Sequence, residues 1–290
     1  MTFEKRFFVL CPSFHGATLL AKLLNAHPDI SALGDTYPSN AFDQTCGCGR
    51  NVSACDFWRI TRERIADYYS QDSPNWLPFL PGQTQNIAQR LRFSDYLFRK
   101  RLNPSNAHRY FSKAELAHLC EGQETFLSAI FDHMPAPIFV DGVKSIGRLS
   151  CLIAGGARVD GIIQIKRNAA DFVGSAMRNT GRVGLAGAAE HTLRWRNYHA
   201  KVASFSTEVP HHCLSYESLA SDTDATLGEI FNFLGCPARS LEELREGLHR
   251  EWHFMGNISV TRFDGTITRS THELPFLQRS LVRAISGSPS

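Results

Sequence analysis

The fold class follows from the stretch FFVLCPSFHGATLLAKLL, residues 7–24. Residues 7–11 form a short apolar run that predicts a buried strand, and Pro12 ends it. The leucines at positions 19, 20, 23 and 24 recur at helical spacing, and His27-Pro28 ends that predicted helix. The chain therefore begins with a strand, a loop that contains Gly16, and a helix.

The alternation of strand and helix returns after Pro137. Strands are predicted at 138–141, 159–165 and 212–216, and helices at 148–154, 169–177, 188–205 and 226–234. A further helix is expected after Ser240-x-x-Glu243, which has the capping-box pattern. Strands that alternate with helices predict an α/β fold, in which helices flank a parallel sheet on both faces.

Residues 40–136 lack this alternation. They are rich in aromatic and arginine side chains, with helical patches near 57–69 and 86–102, and Ser112-x-x-Glu115 is a capping box that opens another helix. We expect one domain over residues 1–290, in which about 60–136 are a helical insertion that carries substrate-specific elements. The tail, about 280–290, is expected to fray.

Composition and charge exclude several classes of protein. The 290 residues are 43% hydrophobic and 20% charged, which is ordinary for a globular chain with a large core. The net charge is only +3 and no basic run occurs, so no nucleic-acid partner is expected. No apolar stretch approaches the roughly 18 residues of a membrane span, and the first apolar run is too short for a secretory signal. We therefore expect a cytoplasmic protein without a transmembrane segment.

Three of the eight cysteines, Cys46, Cys48 and Cys55, form a cluster of the pattern Cys-x-Cys-Gly-x5-Cys. Three thiols can bind zinc, but no further Cys or His follows at the usual ligand spacing to complete a tetrahedral site. The sequence therefore favours a structural turn, in which two cysteines can pair, over a metal site. We expect no metal.

The loop between the first strand and the first helix is the first candidate site. It presents backbone N–H groups at a helix N-terminus, where the helix dipole also favours an anion. Gly16 lets the backbone approach a phosphate, and the Thr18 hydroxyl can donate a hydrogen bond to it. The Gly-x4-Gly-Lys-Ser/Thr pattern of nucleotide kinases and NTPases is absent, which disfavours a standard ATP site.

The second candidate site begins where the predicted strand 159–165 ends. Arg167 follows this strand and Ser175 lies two turns into the next helix, so both side chains can converge on one phosphate. Arginine suits this role because its planar, permanently charged guanidinium makes bidentate hydrogen bonds.

Together the two sites resemble the phosphate-binding motifs of the sulfotransferases that depend on 3′-phosphoadenosine 5′-phosphosulfate (PAPS). Residues 16–20, Gly-Ala-Thr-Leu-Leu, are similar to the second half of the family's 5′-phosphosulfate loop. Arg167, Asn168, Asp171 and Ser175 match the 3′-phosphate motif, with Ala169 where the family has proline. The resemblance implies a P-loop-like α/β fold.

Further stretches resemble the family in the same order along the chain. They are 26–30 followed by Gly34-Asp35, the cysteine cluster followed by Phe57-Trp58, Val140-Asp141-x-x-Lys144-Ser145, Tyr216-Glu217-x-Leu219, and His253-x-x-Gly256-Asn257. The resemblance covers roughly 5–275 and leaves the insertion 60–136 unmatched.

This resemblance implies transfer of a sulfuryl group from PAPS to a hydroxyl or amine acceptor, which can be a glycan, a lipid or a small molecule. Asp35 occupies the position of a catalytic glutamate and is the expected base, while Lys144 is expected to face the sulfate or the bridging oxygen. PAPS is the only co-substrate expected. Its predicted contacts are Ser13, Phe14, His15, Gly16, Ala17, Thr18, Leu19, Arg167, Ser175, Tyr216, Gly256 and Asn257.

One departure from the family concerns the loop cation. The family has lysine or arginine just before Ser-Gly, whereas Phe14 or Ser13 stands there in this chain, depending on the register. Either His15 replaces the cation, as an imidazolium or a hydrogen-bond donor, or Lys144 acts without one. The alternatives to a sulfotransferase are a protein that binds PAPS or another nucleotide without catalysis and a kinase-like P-loop enzyme.

Overall fold

The structure is a computed structural model. It describes residues 2–34, 45–65, 103–142, 144–203, 205, 209–249, 252–253, 263, 265, 267 and 273–287. The predicted helical patch at 86–102 lies outside these residues, as does most of the segment 60–102. The extent of the insertion therefore stays a prediction.

A five-stranded parallel sheet forms the centre of the fold, with the strand order β2-β3-β1-β4-β5. This confirms the α/β class that the alternating pattern predicts. The strands are β1 (Lys5–Leu10), β2 (Ile30–Leu33), β3 (Ile138–Asp141), β4 (Gly161–Lys166) and β5 (His211–Ser215).

Ten α-helices occur in the described residues. They are α1 (Ala17–Asn25), α2 (Asp56–Arg64), α3 (Lys113–His133), α4 (Ile146–Ala154), α5 (Ala169–Thr180), α6 (Gly184–Ala203), α7 (Tyr216–Ser221), α8 (Thr223–Leu234), α9 (Leu241–Leu248) and α10 (Phe276–Ser286). Short 3₁₀ turns at Val52–Ala54 and Pro104–Arg109 precede α2 and α3.

Helices cover both faces of the sheet because successive side chains of each strand point to opposite faces. Phe7 and Val9 of β1 pack with α1, α8 and α9. Phe8 and Leu10, the residues that alternate with them, pack with α2, α3 and α4 on the other face. A smaller apolar cluster joins α5, α6 and α10 beyond the sheet.

Capping residues set several helix boundaries, including the two capping boxes that the sequence predicts. Ser112 and Ser240 each accept from the backbone three residues on, in reciprocal capping boxes that open α3 and α9. Gly181 and Gly235 end α5 and α8 in the left-handed conformation. The strand predicted at 212–216 ends one residue earlier, since the Ser215 side chain caps α7.

The C-terminal segment differs from its prediction. A frayed tail is expected after about residue 280, yet α10 runs to residue 286, with Val282 buried. Arg196 of α6 donates to the carbonyl oxygen of Ile285 at 3.2 Å. A helix this short is marginal on its own, so its stability comes from packing on α5 and α6, which the local sequence does not display.

The strand order creates a crevice at one edge of the sheet. The connection that leaves β1 leads towards β2, and the connection that leaves β4 leads in the opposite direction, towards β5. In open α/β sheets, ligands bind beyond the carboxyl ends of two neighbouring strands whose connections diverge in this way. The segments after β1 and β4 carry both candidate sites.

None of the helices in the described part of the chain combines the length and the apolar character that crossing a membrane requires.

Candidate functional site

The loop after β1 leads into a helix N-terminus that suits an anion. Gly16 precedes α1 in the left-handed conformation, with a φ of 84°. No side chain of the described residues caps α1, and its first turn holds no acidic residue. The backbone N–H groups of that turn thus lack a capping side chain among the described residues, and the helix dipole adds positive potential there.

Arg167 joins the loops after β1 and β4. Its Nη1 donates to the carbonyl oxygen of Phe14 at 2.8 Å, and its guanidinium carbon lies 4.8 Å from the centroid of the Tyr216 ring. A Cβ atom on Gly16 would come within 2.7 Å of the same ring. The structure therefore brings three predicted site segments, around Gly16, Arg167 and Tyr216, into direct contact.

Hydrogen bonds from neighbouring residues fix this junction. Glu217 accepts from the backbone N–H of Asn168 at 2.9 Å and from the hydroxyl of Ser215 at 3.0 Å. The indole N–H of Trp195 on α6 donates to the carbonyl oxygen of Arg167 at 3.0 Å. These contacts hold the loops after β4 and β5 together and orient the backbone of Arg167 from a third side.

Ser175 lies in the second turn of α5 and is half-buried. The side chain of Asn168 caps this helix by accepting from the backbone N–H of Ala170 at 2.9 Å. The Arg-Asn pair thus has two roles, because Arg167 reaches back to the loop while Asn168 starts the helix that carries Ser175.

Lys144 lies in the turn between β3 and α4 and has a φ of 60°, which is unusual for a residue with a side chain. Its carbonyl oxygen accepts from the Tyr198 hydroxyl at 2.6 Å. Behind the turn, Arg148 donates to Asp141 at 3.2 Å, and both side chains are almost wholly buried. The turn that presents Lys144 is therefore held from inside the sheet and from α6.

His15 is buried under the loop. Its Nδ1 lies 3.2 Å from the carbonyl oxygen of Ser13, and its Nε2 lies 3.3 Å from Nε2 of His199. The other ring nitrogen of His199, Nδ1, lies 2.9 Å from Nε2 of Gln164. Burial, followed by the charge interaction with His199, lowers the pKa of His15 well below 6.5. The imidazole is therefore neutral near pH 7, which favours the hydrogen-bond role for His15 over the imidazolium.

A cavity of about 690 Å³ opens beside this loop. Its walls include Ser13 and Lys144, and α6 with the residues before it supplies most of the rest. Four cationic side chains face one carboxylate: Lys144, Arg182, Arg194 and Lys201 against Glu190. Arg182 forms an ion pair with Glu190, and the remaining positive charge suits an anionic group.

Sequence reasoning did not single out α6. Tyr198, His199, Arg194 and Lys201 reach the cavity or the loop only because this long helix crosses the carboxyl edge of the sheet. Their sole signal in the sequence is a run of polar and aromatic residues in a predicted helix. Three predicted site residues, Asp35, Gly256 and Asn257, lie outside the described residues.

The cysteine cluster lies in the segment that leads to α2, and none of its residues lines the cavity. None of the eight cysteines, all of which the structure describes, forms a disulfide, and Cys48 Sγ lies 3.6 Å from Cys55 Sγ. The structure adds His253, whose Nδ1 is 3.3 Å from Cys55 Sγ and 3.8 Å from Cys46 Sγ. Burial raises the pKa of Cys46 to about 12 and also raises that of Cys55.

Comparisons with known proteins show the fold. No protein-family model matches the chain, and no curated protein is significantly similar to it in sequence. Among solved structures it is similar to the sulfotransferase domain from the curacin biosynthetic pathway, with a TM-score of 0.52 and 13% identity over 99% of this chain and 98% of that domain.

Two further structures have lower TM-scores. The sulfotransferase domain from the Synechococcus PCC 7002 olefin synthase matches with a TM-score of 0.47 and 15% identity, over 99% of this chain and 95% of that one. Sulfotransferase STF9 from Mycobacterium avium matches with a TM-score of 0.49 and 14% identity, over 99% of this chain and 76% of that one. The match to the curacin domain, with the TM-score of 0.52, shows that the two chains share a fold.

Proposed function

We propose that this chain is a sulfotransferase, which moves a sulfuryl group from PAPS to a hydroxyl or amine acceptor. The observation that carries the proposal is the junction of Phe14, Gly16, Arg167 and Tyr216 at the diverging ends of β1 and β4. A donor with a phosphate at each end of its ribose needs two anion sites a few ångströms apart, and the contact between these loops supports such a pair of sites.

The chain's own groups fit the donor. The backbone N–H groups around Gly16 and the first turn of α1 bind the 5′-phosphosulfate, as helix N-termini bind anions. Arg167 and Ser175 hold the 3′-phosphate, and Tyr216 supports the guanidinium. We assign Thr18, buried in the first turn of α1, to a hydroxyl contact with the 5′ end.

PAPS supplies an activated sulfuryl group, whose bond to the bridging phosphate oxygen breaks as the acceptor oxygen or nitrogen bonds to sulfur. In such in-line transfers the protein contributes positioning and charge stabilisation. Asp35 takes the acceptor's proton. The Lys144 ammonium stabilises the charge that develops on the bridging oxygen. The remaining product of the donor is 3′-phosphoadenosine 5′-phosphate.

The missing loop cation is replaced from outside the loop. His15 is neutral and buried, so its part is to donate a hydrogen bond and support the loop backbone. Positive charge comes instead from Lys144, with Arg194 and Lys201 of α6 on the same cavity. We assign this cavity to the acceptor, because its volume lies in the range of small-molecule sites.

The proposal is tested by incubating the purified protein with radiolabelled PAPS and a host extract, and identifying the labelled product. Binding is measured separately, as the thermal shift with 3′-phosphoadenosine 5′-phosphate and with ATP–Mg²⁺. Labelled product together with stabilisation by the bisphosphate supports the proposal. Stabilisation by the bisphosphate without transfer to any acceptor indicates a protein that binds the nucleotide without catalysis. Stabilisation by ATP–Mg²⁺ alone indicates a kinase-like enzyme.

Two variants test the assigned roles once an acceptor is known. Lys144→Ala is expected to lower kcat by about 10²–10³, the range for the loss of one group that stabilises transition-state charge. Asp35→Asn is expected to lower kcat by about 10²–10⁴ through loss of the base. If either variant keeps the full rate, another residue performs that step.

A further inference from the structure

Four side chains from distant parts of the sequence converge outside the proposed donor site. The three cysteines at 46, 48 and 55 lie in one short segment, while His253 is 198 positions beyond the last of them. One ligand atom from each residue lies within 4.8 Å of every other. Cys46 and Cys55 are buried, and the other two are half-buried.

Three of the separations between these ligand atoms are close to those of a tetrahedral zinc site. Zinc bonds to thiolate at about 2.3 Å and to imidazole at about 2.0 Å, so tetrahedral ligands lie about 3.8 Å apart for two sulfurs and about 3.5 Å apart for sulfur and nitrogen. The corresponding distances are 3.6 Å between Cys48 and Cys55, and 3.3 Å and 3.8 Å from His253 to Cys55 and Cys46.

The backbone around the first two cysteines forms a tight turn. The N–H of Cys46 donates to the carbonyl oxygen of Arg50 at 2.8 Å, and the N–H of Gly49 donates to the carbonyl oxygen of Cys46 at 2.8 Å. Gly49 completes the turn with a φ of 84°. The turn points the sulfurs of Cys46 and Cys48 towards the same side, where Cys55 leads into α2.

Two contacts hold His253 in place, one made by its own ring and one made by the preceding residue. Its ring stacks on Phe57 with centroids 4.7 Å apart and an interplanar angle of 6°. The preceding residue, Trp252, is buried and donates from its indole N–H to the carbonyl oxygen of Ala32 at 2.7 Å. The imidazole is thus positioned next to the thiols by the core, before any ion binds.

We propose that Cys46, Cys48, Cys55 and His253 bind one zinc ion in a closed structural site. Four protein ligands leave no coordination position for water or substrate, which distinguishes structural from catalytic zinc. Three thiolates and one imidazole in tetrahedral arrangement select zinc over magnesium or calcium, which prefer oxygen ligands. On binding, each thiol loses its proton to solvent, and the site carries a net charge of −1.

The ion ties the segment before α2 to the chain that follows α9. The Phe57–His253 stack also brings these two parts of the chain together. Since the ligands are separated by about 200 residues, the link closes a long loop, which is where a cross-link removes most entropy from the unfolded chain.

A disulfide between Cys48 and Cys55 is the competing chemistry. Their sulfurs lie 3.6 Å apart, whereas a disulfide bond is about 2.0 Å long. A disulfide would also leave Cys46 and His253 without the role that their placement implies. Mass spectrometry of the protein, alkylated without reductant, separates the two cases.

The test is the metal content of the full chain, purified without a metal-affinity tag and measured by plasma mass spectrometry. We expect one zinc per chain, and close to none in Cys55→Ser and His253→Asn. The matched controls Cys213→Ser and His249→Asn change exposed residues outside the cluster and are expected to keep the zinc.

If the cluster variants fail to fold, wild-type protein still tests the site. Cobalt exchanged for zinc is expected to give the intense visible bands of tetrahedral thiolate coordination, and three of the eight thiols become reactive only after the metal is removed. Wild-type protein without stoichiometric zinc after growth in zinc-supplemented medium, or a Cys48–Cys55 disulfide, overturns the proposal. No PAPS or acceptor is used, so this outcome is independent of the proposed activity.

Discussion

Gly16 and Gly49 have the same φ of 84°, yet they serve two very different regions. Gly16 lies in the crevice at the carboxyl ends of β1 and β4, and a Cβ atom there would meet the Tyr216 ring at 2.7 Å. Gly49 lies in the cysteine turn, and a Cβ atom there would meet nothing within 4 Å. A side chain from a distant part of the sequence thus packs on the left-handed glycine in the first region. In the second region the left-handed glycine only completes its own turn.

The two regions are also assembled differently. The crevice forms where loops after β1, β4 and β5 end side by side, so each piece follows a strand and carries its own short motif. The fourth member of the cysteine cluster, His253, is about 200 positions away from the cysteines in the sequence. A site built from loops along one sheet edge can be anticipated from the sequence, while a site closed by a distant chain segment cannot.

The largest expected effect concerns the turn between β3 and α4, beside the crevice. Asp141→Ala leaves the Arg148 guanidinium buried without its carboxylate partner, so we expect the free energy of unfolding to fall by about 3–5 kcal/mol, measured by urea denaturation. Zinc content is expected to stay at the wild-type value. The control Asp132→Ala removes an exposed ion pair and should leave the urea midpoint unchanged.

Arg167→Ala should separate the two regions most clearly. Loss of a charged hydrogen-bonding group is worth about 1.5–3 kcal/mol, so we expect the Kd for 3′-phosphoadenosine 5′-phosphate to rise about 10- to 150-fold by calorimetry. Arg245→Ala on the exposed face of α9 is the matched control. An unchanged Kd in Arg167→Ala would remove this residue from the donor site.

The two glycines with the same φ, Gly16 and Gly49, allow a direct test of this comparison. Gly16→Ala and Gly49→Ala both force alanine into the left-handed region, at a cost of about 1–2 kcal/mol. Only Gly16→Ala also displaces the Tyr216 ring, so it should unfold at lower urea concentration than Gly49→Ala and bind the bisphosphate more weakly. Equal urea midpoints and equal affinities would show that the packing on Gly16 contributes nothing.

The last prediction concerns the acid stability of the crevice. Burial lowers the pKa of His15 well below 6.5 and that of His199 to about 4. Below pH 6.5 the unfolded chain binds protons that the folded chain does not, so stability is present above pH 6.5 and is lost as the pH falls towards 4.

Urea midpoints between pH 7.5 and 5 measure this slope. Replacing both histidines, as His15→Gln with His199→Gln, is expected to reduce the slope, while the exposed control His249→Gln should leave it unchanged. A slope that is the same in all three proteins would mean that the two imidazoles titrate alike in the folded and unfolded chain.

Much of the fold could be predicted because its signals are local. The capping boxes at Ser112 and Ser240 and the glycines at 181 and 235 mark helix ends through hydrogen bonds within a few residues. The contact between the segments around Gly16 and Arg167 could also be anticipated, since both follow strands of one parallel sheet. The helix α10 could not, because its stability depends on neighbours from elsewhere in the chain.

The candidate site can also be divided into parts that have local signals in the sequence and parts that depend on distant contacts. The sequence alone determined the strand–loop–helix unit around Gly16, the Arg-Asn pair that begins α5 and the three clustered thiols, because each depends on spacing within one segment. Only the tertiary structure decided that α6 supplies cations to the cavity, that His15 is buried and neutral, and that His253 lies beside the thiols. Those facts depend on burial and on contacts between segments far apart in the chain, which residue spacing does not encode.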